Sequence, residues 1–356
     1  MPQNDFVFSV TSFKADDGEC LFVRCAADGE CFNLLIDGGR GGLLGPIKRF
    51  LAALPENQRQ IDVFLVTHID DDHIVGAIEI IKDEYLNSLI KDVWFNSREL
   101  EFQKPVSELT IENGNALAKL LRGMGDRWNK YFKGRAIVWS SQAPAQISVL
   151  RGTTITVLGP SEADFEKLKA CWPEPEEDRK EEETVLPPFI TPMGEDILDV
   201  ENLGKSVSEI DTSRFNRSSI AIHLQHRDKS VLLSSDSYAL QLVEAMKRDI
   251  GWPINLALAT IPHHGSRRNI DRAMADGVCA TFWLISTNGR HHKHPHPESV
   301  ARIIMGANER GDRPTLVFNH RHKQAEVWDD CRYKRDFNYQ TRYRIETDDF
   351  ITVNLS

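Results

Sequence analysis

Three apolar runs in this chain each stop at residues of types that can ligate metal ions. Ile61 to Val66 leads into Thr67-His68-Ile69-Asp70-Asp71-Asp72-His73. Val231-Leu232-Leu233 leads into Ser234-Ser235-Asp236, and Ala259-Thr260-Ile261 leads into Pro262-His263-His264-Gly265-Ser266. Short apolar runs bounded by polar and turn residues read as buried strands. A sheet that sets such strands side by side collects the residues following them at one rim. The pattern therefore demands a layered fold in which distant parts of the chain end at a common edge.

The first run carries the densest cluster. His68, Asp70, Asp72 and His73 are four candidate ligands within six residues. In a loop at a strand end, alternate residues can turn inward together. Neutral imidazole and carboxylate are ligands of Zn, Mn and Fe sites. The plain alternative is a helix N-terminus in which Asp70 to Asp72 cap and charge the first turn. Capping needs one aspartate, however, and explains neither histidine. Taken alone, Asp236 reads as a turn residue and His263-His264 is ambiguous; taken together with the first cluster they form a coherent metal set. Nucleotide motifs fail: from Gly39 the sixth position of a dinucleotide fingerprint is Leu44, and the first glycine of a Walker A loop ending at Gly204-Lys205-Ser206 would be Asp199.

The remaining pattern is that of a layered α/β or α+β protein. Phe6 to Phe13, Leu21 to Cys25 and Cys31 to Ile36 read as strands, with Asp28-Gly29 as the turn between the last two. Helical patterns span Leu43 to Leu54, Val75 to Leu86, Asn115 to Leu121, Ala239 to Ile250 and Ser299 to Gly306. Further strands are expected at Val93 to Phe95, Ala136 to Trp139, Thr153 to Leu158, Ser219 to Leu224, Ser230 to Ser234, Asn255 to Thr260, Thr281 to Ile285 and Thr315 to Phe318. The 356 residues are read as one domain, 1–356, with a C-terminal extension from about 320. The formal net charge of −10 argues against a nucleic-acid partner until its distribution is seen. Residues 161–211 hold 16 Asp/Glu against 5 Lys/Arg, and the rest of the chain holds 38 basic against 37 acidic groups. Pro173 to Glu183 cannot bury enough apolar surface to order itself, so about 172–212 is expected to be an inserted, mobile acidic loop. Six cysteines show no metal-binding spacing; Cys20, Cys25 and Cys31, clustered in the first strands, are expected to be small reduced core residues. With no apolar leader after Met1 and no run of 18 apolar residues, the expected setting is the cytoplasm, away from membranes.

In this order the motifs resemble those of metallo-β-lactamase-fold hydrolases. More narrowly, they resemble the hydrolase domain of the DNA-uptake channel protein ComEC and its stand-alone relatives. Leu35-Ile36-Asp37-Gly38-Gly39 is similar to the first motif, Thr67 to His73 to the metal loop with aspartate in place of its second histidine, and Asn216-Arg217-Ser218-Ser219 to an Asn/Ser motif. Asp236 is similar to the bridging aspartate, Pro262 to Ser266 to the His-His-Gly-Ser motif, and His294-Pro295-His296-Pro297-Glu298 to a late signature of the subgroup. The resemblance covers about 5–320 and implies a four-layer αββα sandwich. It implies two divalent ions, Zn or Mn with Mg also compatible, held by His68, Asp70, Asp72, His73, Asp236 and His264, with Asp37 supporting them from behind. The wider family places another histidine ligand between the metal loop and the bridging aspartate. Here that interval offers only His223 and His226, with Asn216 near the motif position. One site is then left with His68, Asp70 and Asp236, an oxygen-richer set that shifts preference from Zn toward Mn or Mg.

Two ions bridged by a carboxylate hold a hydroxide that is nucleophilic at neutral pH and neutralise charge on a phosphoryl oxygen. The implied activity is hydrolysis of DNA or another phosphodiester. Asp72, or Asp70, is the candidate proton acceptor; His263 and His294 are candidates to bind phosphate or protonate the leaving oxygen. Asn216, Ser219, Arg267, Arg268, His294 and His296 are candidate substrate contacts. Arg40, Arg272, Arg290 and Lys293 are further cations expected at the rim, whereas His320 and His322 read as exposed and non-ligating. Two other readings stand beside this one. The fold also serves hydrolases of small esters or diesters of the phosphorylcholine or nucleotide type. A metal-binding regulatory subunit, docking a protein partner through the acidic insertion, would do little chemistry.

Overall fold

The computed structural model describes residues 6–98, 100, 112–140, 145–172 and 198–356. Its strands in chain order are β1 (Val7–Phe13), β2 (Leu21–Ala27), β3 (Glu30–Ile36), β4 (Val63–Leu65), β5 (Val93–Trp94), β6 (Gln146–Leu150) and β7 (Thr153–Gly159). They continue as β8 (Ala221–His226), β9 (Lys229–Leu233), β10 (Ile254–Thr260), β11 (Val278–Ile285), β12 (Thr315–Phe318), β13 (Gln340–Tyr343) and β14 (Phe350–Asn354). One sheet runs β14-β1-β2-β3-β4-β5 and the other β13-β12-β11-β10-β9-β8-β7-β6.

Alternation along the strands explains the layers. Val63 and Leu65 point into a core between the sheets, where they meet Val157, Ile222, Val231, Leu233 and Leu258. Their neighbours Phe64 and Val66 point the other way, into a core shared with helices Leu44–Ala52, Asp71–Lys82 and Glu112–Arg122. On the far sheet Leu232, Ala259 and Ile261 pack against helices Ala239–Asp249, Arg272–Gly277 and Pro297–Arg310. The result is a four-layer αββα sandwich.

β3, β4 and β5 are parallel, and β9 to β13 form a parallel block. The C-terminal ends of β3, β4, β9 and β10 consequently deliver Asp37, His68, Asp236 and His263-His264. The helix after β4 is drawn onto this edge by a glycine pair. Gly38 N–H donates to the His73 carbonyl at 3.0 Å and Gly76 N–H to the Gly39 carbonyl at 2.9 Å. A Cβ on Gly38 would lie 2.2 Å from the Ala77 nitrogen.

Several sequence expectations need correction. The helix after β4 begins at Asp71, four residues before Val75, so Asp71, Asp72 and His73 form its first turn. Ala136–Trp139 is not a strand. Asn96 substitutes for a neighbour there, donating to the Ile137 carbonyl at 2.7 Å and accepting from Ile137 N–H at 2.8 Å. The C-terminal extension is built into both sheets, as β13 and β14. Most of the acidic segment, 173–197, lies outside the described residues, but its flanks are packed. Trp172 is buried, and helix Val200–Lys205 lays Gly204 against Met305 and Ala301 of helix Pro297–Arg310. The mobile-loop expectation therefore does not hold for 198–212. Cys20, Cys25, Cys31, Cys279 and Cys331 are free thiols. Among the described residues no helix is long and apolar enough to cross a membrane.

Candidate metal centre

Asp236, 3% exposed, is the centre of the site. Its Oδ1 lies 3.4 Å from His73 Nε2 and 3.7 Å from His264 Nε2. Its Oδ2 lies 3.7 Å from His68 Nε2 and 3.5 Å from His263 Nε2. Asp70 Oδ2 stands 3.5 Å from His68 Nε2. Asp72 Oδ2 stands 3.4 Å from His264 Nε2 and 3.8 Å from His73 Nε2. All six residues expected as ligands are thus brought together. Asp70 occupies the position before the helix but makes no capping hydrogen bond, so helix capping does not account for it. Asp71 turns away, its carboxylate accepting from Asn113 Nδ2 at 3.0 Å.

Each imidazole is fixed from behind. Asp37, fully buried, accepts from Thr67 N–H at 2.8 Å, from the Thr67 hydroxyl at 2.7 Å and from His73 Nδ1 at 2.7 Å. His68 Nδ1 meets the Thr67 hydroxyl oxygen at 3.0 Å, and His264 Nδ1 meets the Ser286 carbonyl at 2.7 Å. His263 Nδ1 lies 3.3 Å from Asp211 Oδ2 and 3.1 Å from Asn269 Oδ1. Ligating histidines characteristically give their second N–H to such acceptors, which fixes tautomer and ring direction.

The residues present fit divalent ions. His68 Nε2 is buried without a hydrogen-bond partner. Donor atoms of His68, His73 and Asp236, and of Asp72, His73 and His264, lie within 4.8 Å of one another in each group. Burial alone would raise Asp236, but the charges of His263, His73 and His264 hold it well below the usual carboxylate range. Burial opposes charge on His264 as well, yet Asp236 and Asp72 raise its affinity for a proton.

The substrate candidates are distributed differently from the expectation. Asn216 and Ser219 are 1% and 0% exposed, and the Asn216 amide donates to Asp211 Oδ2 at 2.9 Å. Asn216 braces Asp211 from behind, whereas the buried Ser219 hydroxyl has no hydrogen-bond partner among the described residues. Arg267 pairs with Glu298 at 3.6 Å and Arg268 with Glu209 at 3.2 Å. Arg40 is held by Asp17 at 2.8 Å, and Arg272 by Asp276 and Glu309 at 2.7 Å each. His294 is buried, its ring 5.2 Å from that of His263 and 4.7 Å from that of His296. Burial, reinforced by the charge of His263, pushes it well below the usual imidazole value. His296 accepts from Arg267 N–H at 3.1 Å, while its buried Nε2 has no partner. Arg290, His291, His292 and Lys293 are exposed.

His226 sits at the far end of β8, its Nδ1 2.7 Å from the Thr153 hydroxyl and its ring stacked on Phe6. His223 is buried within the same strand; neither belongs to the ligand groups. His320, expected to be exposed, is 7% exposed. Burial pushes its imidazole to about 4.

Two residues escaped sequence reasoning. Asp211, 5% exposed, lies at the end of the acidic segment. Burial would raise its carboxyl, but hydrogen bonds from His263, Asn216 and Asn269 outweigh burial and hold it at about 2. Glu19 is also 5% exposed; its N–H donates to the Asp72 carbonyl at 3.3 Å, and burial lifts its carboxyl to about 7. No spacing or motif marks either one.

No family model matches the chain, and no curated protein matches it. Among solved structures the chain is similar to a CmlA beta-hydroxylase mutant, at 12% identity and a TM-score of 0.42. That alignment covers 99% of this chain and 54% of the other, so the chain spans about half the relative's length.

Proposed function

We propose that this protein is a metal-dependent phosphodiesterase with a dinuclear centre, and that it cleaves DNA. The observation that carries this reading is Asp236, whose two carboxylate oxygens each face a separate set of imidazole and carboxylate groups. His68, Asp70 and Asp236 would hold one ion; Asp72, His73, His264 and Asp236 would hold the other. Bound ions supply Lewis acidity that acidifies water and offsets charge building on a phosphoryl oxygen. Asp70 is the better proton acceptor of the two loop aspartates. Its side chain is 33% exposed against 16% for Asp72, and Asp72 is engaged by two imidazoles. His294, whose ring lies against that of His263, and His296 beside His294 would orient a phosphate by hydrogen bonding. Thr67, Asp37 and Ser286 keep the ligating rings in one tautomer.

The test is incubation of the purified protein with Mn²⁺ or Zn²⁺ and linear, circular or single-stranded DNA. Cleavage is expected, reduced at least roughly a hundredfold in His68→Ala and Asp72→Ala. Absence of cleavage with every ion, or cleavage indifferent to both substitutions, overturns the reading. The pairing of Arg267 with Glu298 and Arg268 with Glu209 favours a second reading, a hydrolase of small phosphodiesters. Turnover of a small aryl diester without action on DNA would establish that one instead.

A further inference from the structure

The sequence leaves the first ion one imidazole short, and the structure places a candidate in the gap. We infer that His263 is a ligand of the first metal site, completing it with His68, Asp70 and Asp236. The inference rests on the dinuclear reading above and adds to it the identity of the fourth ligand.

Three features converge on this assignment. First, His263 and His264 are adjacent in sequence, yet their Nε2 atoms approach opposite oxygens of the same carboxylate, Oδ2 at 3.5 Å and Oδ1 at 3.7 Å. Neighbouring side chains ordinarily diverge in an extended strand. Here both residues adopt left-handed backbone conformations, φ/ψ of 46°/56° and 52°/14°. Non-glycine residues pay conformational strain there, and such strain persists where the surroundings enforce it.

Second, His263 is oriented as His73 is, with a carboxylate behind the ring, although its Nδ1 stands farther from Asp211 (3.3 Å against 2.7 Å) and also faces Asn269 Oδ1 at 3.1 Å and Asn216 Nδ2 at 3.3 Å. His73 turns Nδ1 toward Asp37 and Nε2 toward Asp236; His263 turns Nδ1 toward Asp211 and Nε2 toward Asp236. A carboxylate behind the ring holds the proton on Nδ1 and leaves Nε2 with its lone pair facing the site. A histidine serving as proton donor to substrate would need the opposite tautomer or a second proton.

Third, the four rings fall into two matched pairs. His73 and His264 approach Oδ1, and His68 and His263 approach Oδ2. With His263 included, each ion receives two imidazoles, one loop aspartate and one oxygen of Asp236. The first site then loses its oxygen-rich character, and the preference for Mn or Mg expected from three ligands gives way to one shared with the second site. Asp211 becomes a positioning residue for that site.

The experiment uses metal uptake rather than activity. The full chain is stripped and titrated with Zn²⁺ against a chromophoric chelator, with stoichiometry read by elemental analysis. Wild type is expected to bind two ions. His263→Ala, and His263→Gln as the variant closer in volume, are expected to weaken one ion at least about tenfold and leave the other in place. Asp211→Asn is expected to weaken the same ion roughly 10–100-fold. Far-ultraviolet circular dichroism of the stripped variants confirms that they are folded. Two ions bound with wild-type affinity in His263→Ala and His263→Gln overturn the inference and leave the dinuclear reading standing. A folded wild type that binds no divalent ion overturns the dinuclear reading, and the inference with it.

Discussion

Asp37 offers the sharpest test of how the metal loop is held. It is fully buried and accepts three hydrogen bonds, two on Oδ2 at 2.7 Å and one on Oδ1 at 2.8 Å. In Asp37→Asn one oxygen can still receive Thr67 N–H. The new amide group, however, faces two donors, the Thr67 hydroxyl and His73 Nδ1–H. The hydroxyl can rotate. His73 can satisfy the amide only by presenting a bare Nδ1, which moves its proton to Nε2, the atom that faces Asp236. Loss of an outer carboxylate of this kind costs roughly 10–100-fold in metal affinity, which is about 1.4–2.8 kcal/mol. The fold itself should lose a comparable amount, about 1–3 kcal/mol, because one hydrogen bond is kept and the others are replaced rather than abandoned. Asp37→Ala leaves three buried donors unmet and should unfold at distinctly lower urea. Chelator competition gives the affinity of each ion, and urea unfolding of the stripped protein gives the stability. Wild-type affinity for both ions in a folded Asp37→Asn protein would refute the claim that Asp37 sets the His73 tautomer.

Other perturbations test the surrounding structure. Gly38→Ala should cost about 3 kcal/mol or more, since its Cβ would lie 2.2 Å from backbone atoms of Gly76 and Ala77, which cannot swing aside; an unchanged urea midpoint would refute that contact. His223 is buried in β8 and burial lowers its pKa from 6.5 to about 4, so the unfolded chain takes up this proton first as pH falls. Its contribution is fully present above pH 6.5 and drains away toward pH 4, by about 3 kcal/mol in total; stability curves of wild type and His223→Leu should diverge in that window and parallel each other above it. Cys331 is exposed, whereas Cys20 and Cys25 are fully buried, so a thiol reagent should label Cys331 in the native protein and the other two only on unfolding; rapid labelling of Cys20 would contradict the packing beneath β2.

What the sequence revealed and what it hid have a common physical origin. Strands buried on both faces announce themselves as apolar runs, and β4, β9 and β10 do so at the positions that deliver His68, Asp236 and His263-His264. Asp37 was legible only through the resemblance of Leu35 to Gly39 to a known motif; the close approach of the helix to its glycines emerged from the fold. By contrast β13, Gln340–Tyr343, is half-exposed and largely polar, and nothing in its composition distinguishes it from a loop. The pairing of β14 with β1 joins the two ends of the described chain, with Val353 opposite Val10, and no local pattern encodes that register. Asp211 was concealed differently. It closes a segment whose charge density argues for disorder, and its role depends on Asn216, Asn269 and His263 meeting it after folding. The two histidines at 263 and 264 were legible as a pair, but deciding that both turn inward required the backbone conformation.

The acidic segment also changes the electrostatic argument for substrate. Its end is part of the site wall: Ser208 donates to the Arg267 carbonyl at 2.8 Å, Glu209 pairs with Arg268, and Asp211 stands behind His263. The arginines after the His-His-Gly-Ser run are thus answered by carboxylates, and Asp70, Asp72 and Asp236 face the space a phosphate would enter. On the proposed reading, a polyanion approaching the metal-free centre meets these carboxylates first. Attraction there would come from bound ions, which would make nucleic-acid binding depend on metal. Binding of fluorescent single-stranded DNA with a cleavage-resistant phosphorothioate backbone by the wild-type protein should require Mn²⁺ or Zn²⁺. It should also depend weakly on salt, with a logarithmic slope no steeper than about 2, because few phosphates can be neutralised and each contributes about 0.7. Tight binding by the stripped protein with a steep salt slope would mean that a cationic surface, and not the metal centre, captures the strand.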